Sequence, residues 1–276
     1  MPLAARVPLI DWRNGFERHW NGGNPARTHI FNAMSLLFPD GERFFVEVAK
    51  EIASQPDFKA DAELTASLRG FIAQESAHGH QHSLYNAVLE KQGYRNVSAE
   101  LMEYLTQRSR RLFSPLSRLA IVCAYEHYTA VLGNFILSTP QALAGAPANL
   151  VLIWGWHAAE ETEHKAVCFD LYRTVGGGWL RRVLLFLMVS FNFSRLFGQV
   201  YLHMLKRDGC LKLTNILSTA GHTLRFVLGR YGIAWHLLWH GLAYLSPGFH
   251  PWNVDNRGKL RDWLAANDAR LRPVGA

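Results

Sequence analysis

The chain has 276 residues, 49% hydrophobic and 12% aromatic, which is ample for a large core and excludes a mainly disordered protein. Its net charge of +7 includes two dense basic groups, Arg108/Arg110/Arg111 and Arg181-Arg182, but neither is interleaved with aromatics as a nucleic-acid surface would be. An acidic membrane surface or an anionic substrate is the better match for that charge. Cys123, Cys168 and Cys210 lie in apolar segments without C-x-x-C spacing, which points to buried thiols in a reducing compartment rather than disulfides or a zinc cluster.

Residues 1–27 read as irregular, with a turn-rich Asn21-Gly-Gly-Asn-Pro25. Met1-Pro-Leu-Ala-Ala-Arg6 shows no charged region followed by a long apolar stretch, so the expected location is cytoplasmic. Ser35-Leu-Leu-Phe-Pro39 leads into a helix for which Asp40 is the predicted N-cap, running to about Ser54, where Gln55-Pro56-Asp57 breaks it. A second helix is predicted over Asp61–Lys91, ending at Gln92-Gly93. Residues 94–114, with Ser98-Ala-Glu-Leu and a basic run, read as a short helix inside a long connection. Pro115 fits the first turn of an apolar helix, Leu116–Leu137, closed by Ser138-Thr-Pro140. The loop Ala144-Gly-Ala-Pro147 and the apolar run Leu150–Trp156 lead into a helix predicted without interruption to Thr174 and ended by Gly176-Gly-Gly178.

Two further segments follow. Val183–Leu205 approaches the length of a membrane span, but Asn192, Ser194, Arg195, Gln199 and His203 interrupt it. Arg195 at the centre of a bilayer would cost roughly 2.5–3.5 kcal/mol. Arg225–Leu245 is aromatic, with His236 and His240 one turn apart but no companion carboxylate. Both segments read first as core helices covering a bundle, and second as a membrane-interface surface or the wall of a tunnel for a hydrophobic substrate.

The chemistry lies in four places. At about 100° per residue, His157, Glu161 and His164 fall within an arc of about 60°, with Glu160 at its edge. Glu75, His78 and His82 repeat the arrangement, so each helix carries Glu-x-x-His and one more imidazole on the same face. Burying an unpaired carboxylate is expensive, and a cation removes most of the cost. Glu126 stands alone in an apolar helix. Glu42 precedes Phe44-Phe45, whereas its rival Glu47 lies about 140° away around the helix.

Glu42 to Glu75 is 33 residues and Glu126 to Glu161 is 35, which reads as an internal repeat of a Glu helix followed by a Glu-x-x-His helix. This is the ligand set of carboxylate-bridged di-metal sites in helical bundles. The expected ligands are Glu42, Glu75, His78, Glu126, Glu161 and His164, with His157 as a seventh. His82 is either a further ligand or a supporting donor, and Glu160 stands in the same second rank. Tyr85, Tyr125 and Tyr128 read as core aromatics first and donors to ligands second, and Asp170, about 120° round the helix from His164, only secondarily as a group that orients a ligand. Glu163 points away from the stripe.

These residues resemble the ferritin-like di-iron carboxylate superfamily. More narrowly, Phe38-Pro39-x-Gly41-Glu42-Arg43-Phe44-Phe45, Gln74-Glu75-x-x-His78-x-x-x-His82, Glu126-His127-Tyr128-Thr129-Ala130, Trp156-His157-x-x-Glu160-Glu161-x-Glu163-His164-Lys165 and Phe249-His250-Pro251-Trp252 look like the bacterial family of predicted metal-dependent hydrolases, over roughly residues 30–255. The His157, Glu161 and His164 arrangement is also similar to the arylamine N-oxygenases, which add a histidine to the usual six ligands. The resemblance implies an all-α, ferritin-like four-helix bundle (about 40–175) with C-terminal helices (about 179–270) as one domain.

A thiolate-free set of carboxylates and imidazoles suits two iron ions, or manganese. The expected reaction is oxidation of a small apolar or aromatic substrate by O2 with an external electron donor. The alternatives are hydrolysis by hydroxide activated on two ions and a non-enzymatic iron store, and the length beyond residue 180 weighs against the store. The expected partners are that substrate, a membrane surface met by the C-terminal helices, and a second copy of the chain; nucleic acid is not among them.

Overall fold

Asn24-Pro25 starts the first helix: the Asn24 side chain accepts from the Arg27 amide, and Pro25 stands where no N–H is needed. The computed structural model describes residues 3–56, 58–97 and 99–274. Met1 and Pro2, Asp57 and Ser98, used above in the leader, a helix break and a helix start, lie outside the described residues. In chain order the elements are β1 (Arg6–Pro8), α1 (Pro25–Ala53), α2 (Ala62–Lys91), α3 (Ala99–Leu112), α4 (Pro115–Ser138) and α5 (Ala148–His164). They continue with α6 (Val167–Thr174), α7 (Trp179–Arg207), α8 (Ile216–Leu228), α9 (Ile233–Tyr244), α10 (Arg257–Asn267) and β2 (Leu271–Pro273). The fold is all-α apart from an antiparallel β1–β2 pair that sets Val7 opposite Arg272.

The expected N-cap at Asp40 is wrong, because α1 runs straight through Pro39. A proline inside a helix removes one N–H and leaves the carbonyl four residues earlier without its partner. That carbonyl belongs to Ser35, and the Asn86 side chain of α2 donates to it at 2.8 Å. A tertiary contact thus compensates the break that the local sequence announces. The helix expected to run unbroken to Thr174 is instead interrupted at Lys165-Ala166, between α5 and α6. Lys165 Nζ is drawn to the Val254 carbonyl at 2.7 Å and to Asn256 Oδ1 at 2.8 Å, partners far along the chain. Trp252 lies between Lys165 Nζ and the Arg257 guanidinium, at 4.1 and 4.0 Å from its ring centre.

α1, α2, α4 and the α5–α6 pair pack into a bundle, and α7 lies across α1 and α4. The core has two apolar halves. One takes Leu36 of α1, Leu89 of α2, Phe135 of α4 and Ile153 of α5; the other takes Ile52, Phe71, Leu119 and Leu171. The early part of α1 therefore meets the late part of α2, and the late part of α4 meets the early part of α5, so both pairs are antiparallel. Gly133 permits the close α4–α5 approach, since a Cβ there would come within 2.9 Å of the Ala158 carbonyl. Glu42, Glu75, Glu126 and Glu161 all lie in the belt between the two halves.

The C-terminal expectation needs correction. Arg225–Leu245 is not one helix, because Gly229–Gly232 separates α8 from α9. As core helices the two segments hold up only in part: α7 enters the core with one side, and α8 and α9 bury little. α7 buries Leu185, Phe186, Val189, Leu196 and Val200 on one side, but α7, α8 and α9 leave large apolar residues in the open.

Candidate metal centre

The mid-helix positions of four acids bring their side chains to one buried place. Glu42, His78 and His157 each offer an atom within 4.8 Å of the others, and so, in a second set, do Glu75, Glu126, Glu161 and His164. Glu161 stands between the sets: Oε1 is 3.1 Å from His157 Nε2 and 3.5 Å from His78 Nδ1, while Oε2 is 3.4 Å from His164 Nε2. Glu75 also faces both, with Oε1 3.0 Å from His164 Nε2 and 3.9 Å from His78 Nδ1. Glu126 Oε2 lies 3.5 Å from His164 Nε2. All seven side chains are buried.

Each imidazole is held by its far nitrogen, which leaves the near one free. His164 Nδ1–H donates to Gln74 Oε1 at 3.0 Å, and the Gln74 amide is fixed because its Nε2 donates to Glu163 Oε2 at 2.7 Å. His78 Nε2–H donates to Glu160 Oε2 at 3.1 Å, and Glu160 Oε1 accepts from the Arg6 backbone amide at 2.9 Å. His157 depends on a longer chain. Asn86 donates to the Ser35 carbonyl, so its Oδ1 accepts from the Ser35 hydroxyl at 2.8 Å. Ser35 Oγ must then accept from His82 Nδ1–H at 2.9 Å, which leaves His82 Nε2 to accept from His157 Nδ1–H, also at 2.9 Å. His157 Nε2 is thereby a bare lone pair turned to the acids.

Both nitrogens of His82 are spent on protein partners, which fits the second of its two expected places, a supporting donor, and not a ligand. Glu160 is likewise a support. Ser35, Asn86, Gln74 and Arg6 had no assigned part in the sequence reading. Gln74 was readable as the neighbour of Glu75, but nothing local signals the other three.

Protein partners do not satisfy the inward atoms. Both oxygens of Glu42, Glu75 and Glu126, Glu161 Oε2, His78 Nδ1, His157 Nε2 and His164 Nε2 are buried without a hydrogen bond, although several lie near one another at poor angles. Orphaned polar atoms are rare in native cores. Burial and the neighbouring charge of Glu75 push Glu42 and Glu126 well above the usual carboxylate range. Against burial, Glu160 and Glu161 raise His78 to about 10. Burial and the neighbouring His78 lower His157 to about 4. Four acids and three imidazoles with orphaned atoms are the donor set that cations satisfy.

A protein-family model described as "predicted metal-dependent hydrolase" matches residues 4–255. The chain belongs to that family. Comparisons with curated proteins and with solved structures gave no match. The family match begins near β1, whose Arg6 supports Glu160 and pairs with Glu163 at 3.0 Å.

Other residues of this metal-dependent hydrolase family member fall outside the cluster. Glu47 pairs with Arg110 at the surface, so Glu42 alone of the two faces inward. Asp170, for which orienting a ligand is the lesser reading, accepts from His250 at 2.9 Å and from no ligand. Tyr85 donates to Asn32 and Tyr128 to Ser190, while Tyr125 packs on Phe45 and Phe193; none of the three reaches a ligand atom. His236 and His240 stack on each other at 6.3 Å and join no carboxylate among the described residues. A third group, His19, His29 and Asp208, needs no cation, because Asp208 already accepts from both imidazoles, Arg18 and Tyr94. Beside Glu42 a cavity of about 480 Å³ opens between α1, α3, α4 and α7, walled by Phe38, Phe45, Tyr125, Leu132 and Phe193.

Proposed function

We propose that the chain is a dinuclear-iron enzyme that uses O2 and an external electron donor to oxidise a small apolar or aromatic molecule in the cavity beside Glu42. Glu42, His78 and His157 would hold one ion and Glu126 and His164 the other, with Glu75 and Glu161 shared, in the manner of the ferritin-like di-iron proteins. Iron, or manganese, in such a thiolate-free set supplies one-electron chemistry toward O2. The observation that carries the reading is the pairing of this donor set with an apolar chamber. Among the described residues the chamber wall contains Glu42 and the tyrosines Tyr104, Tyr125 and Tyr128 but no imidazole, lysine or second acid. Rings keep bulk water from the donors: Phe38 lies 4.5 Å from His157, Phe71 5.0 Å from His164 and Trp156 4.8 Å from His78.

The family description favours a second reading, hydrolysis, and metal exchange separates the two. The reduced, iron-loaded protein is mixed with aromatic amines and phenols in an oxygen electrode. Its zinc- and manganese-loaded forms are assayed against apolar esters and amides. Substrate oxidation coupled to O2 uptake, present with iron and absent with zinc, is the expected result. Ester or amide cleavage by the zinc form, with no O2 uptake by the iron form, would replace oxidation with hydrolysis.

A further inference from the structure

Sixteen of the 22 large apolar side chains exposed among the described residues lie between Trp179 and Leu242, on α7, α8 and α9 and their connections. Leu217 is 84% exposed, Phe191 71% and Trp239 66%. So many exposed apolar side chains gathered in one stretch of the chain point to a docking face. The charge follows the same boundary. Residues 179–254 hold eight of the 29 basic residues and one of the 22 acids, so the rest of the chain balances at 21 against 21 and this stretch carries the whole net charge. The single acid, Asp208, is paired with Arg18 and hydrogen-bonded to His19 and His29. Of the eight cations only Arg182 is buried, and none of the other seven has an acidic partner among the described residues.

We propose that the α7–α9 face docks on an anionic lipid bilayer, lying on the surface and not crossing it. α7 cannot leave to span a membrane, because Val189, Leu196, Val200 and Met204 are committed to the core. Exposed apolar side chains and unpaired cations on the same helices and connections suit the headgroup–acyl boundary of an acidic leaflet. A second copy of the chain suits it poorly, since a two-fold contact would set seven unpaired cations against the same seven. The cavity gives the docking a use. Met188, Asn192 and Phe193 form its α7 wall, while Leu187 and Phe191 on the same turns face outward. A bilayer at this face brings apolar molecules dissolved in lipid to the side of the chain where the cavity lies. The proposal does not depend on the reaction, because vesicle binding is read without turnover.

The test is sedimentation of the full chain with large vesicles of phosphatidylcholine alone or with 30% phosphatidylglycerol. Binding to the acidic vesicles is expected, falling steeply in high salt. Arg225→Gln with Arg230→Gln should weaken it about fivefold per charge. Leu217→Gln with Trp239→Gln should weaken it about tenfold or more. All four positions are exposed and distant from the acids, so helicity and bound metal should stay unchanged, and either pair alone suffices if the other fails to fold. No binding to acidic vesicles, or binding by both double variants equal to that of the unaltered chain, overturns the proposal. So does a dimer that the Leu217/Trp239 variant converts to monomer, which would assign the face to a second copy.

Discussion

Gln74 is held at both ends of its amide, by Glu163 on one side and His164 on the other, and each imaginable role of His164 rests on that grip. The same logic at Ser35 decides which nitrogen of His157 carries hydrogen. Ser35→Ala removes the acceptor for His82 Nδ1–H, frees His82 to turn, and should weaken metal binding about 10–100-fold while leaving the helices intact. Equilibrium dialysis with Fe(II) or Mn(II) measures it. Glu126→Ala removes a donor outright and should abolish most binding by one of the two clusters. Glu163→Ala, whose carboxylate faces Arg6 and Gln74 and not the acids, removes no donor and acts on metal only through the Gln74 support of His164, so it should keep clearly more metal than Glu126→Ala. Equal metal content in the two variants, by elemental analysis, would remove the assignment of helix faces. The clustering of Glu42, Glu75, Glu126 and Glu161 was legible because helical period and the expense of burying acids point the same way. The supports of the imidazoles were not, since Ser35, Asn86 and Arg6 gain their partners only through tertiary contact.

Among the elements, α1 shows where local rules lose to packing. Pro39 reads as a helix start, yet Asn86 from α2 takes the carbonyl that proline abandons, and the helix continues. Asn86→Ala should therefore cost about 1–3 kcal/mol, the penalty of a buried acceptor left unpaired. Pro39→Ala restores an N–H within α1 that can reach the same carbonyl. In that background Asn86→Ala should cost about 1 kcal/mol less, read as the coupling energy of a double-mutant cycle in urea. Additive effects would mean that Asn86 does not compensate the proline. The α5–α6 break was equally hidden: Lys165, which stands at it, bonds Val254 and Asn256, about ninety residues away. The Arg225–Leu245 segment failed for another reason: aromatic content says nothing about which face is covered, and α9 buries only Ile233 and Tyr244.

The whole molecule places a polar belt between two apolar halves, so its stability and its metal affinity share one set of protons. Without a cation, Glu42, Glu126 and His164 are pushed well above their ordinary ranges and His78 to about 10. Groups whose pKa is raised by folding hold protons that the unfolded chain releases, so their stabilisation is lost as pH rises. The metal-free chain should lose melting temperature between pH 6.5, the ordinary imidazole value, and about 10. Metal must displace those protons, so affinity should climb over the same interval. Calorimetric scans of both forms across it would show the two melting temperatures diverging; parallel curves would mean that the belt does not bind the ions.

The rings that screen the imidazoles have an optical corollary. Trp156 is 4.8 Å from His78 and Trp154 5.3 Å from His82, so two indoles stand beside the place where open-shell ions would sit. Paramagnetic Fe(II) or Mn(II) at that range should quench their emission, whereas filled-shell Zn(II) should largely spare it. Occupancy would then be readable in the ultraviolet from the native chain, with no dye or label attached.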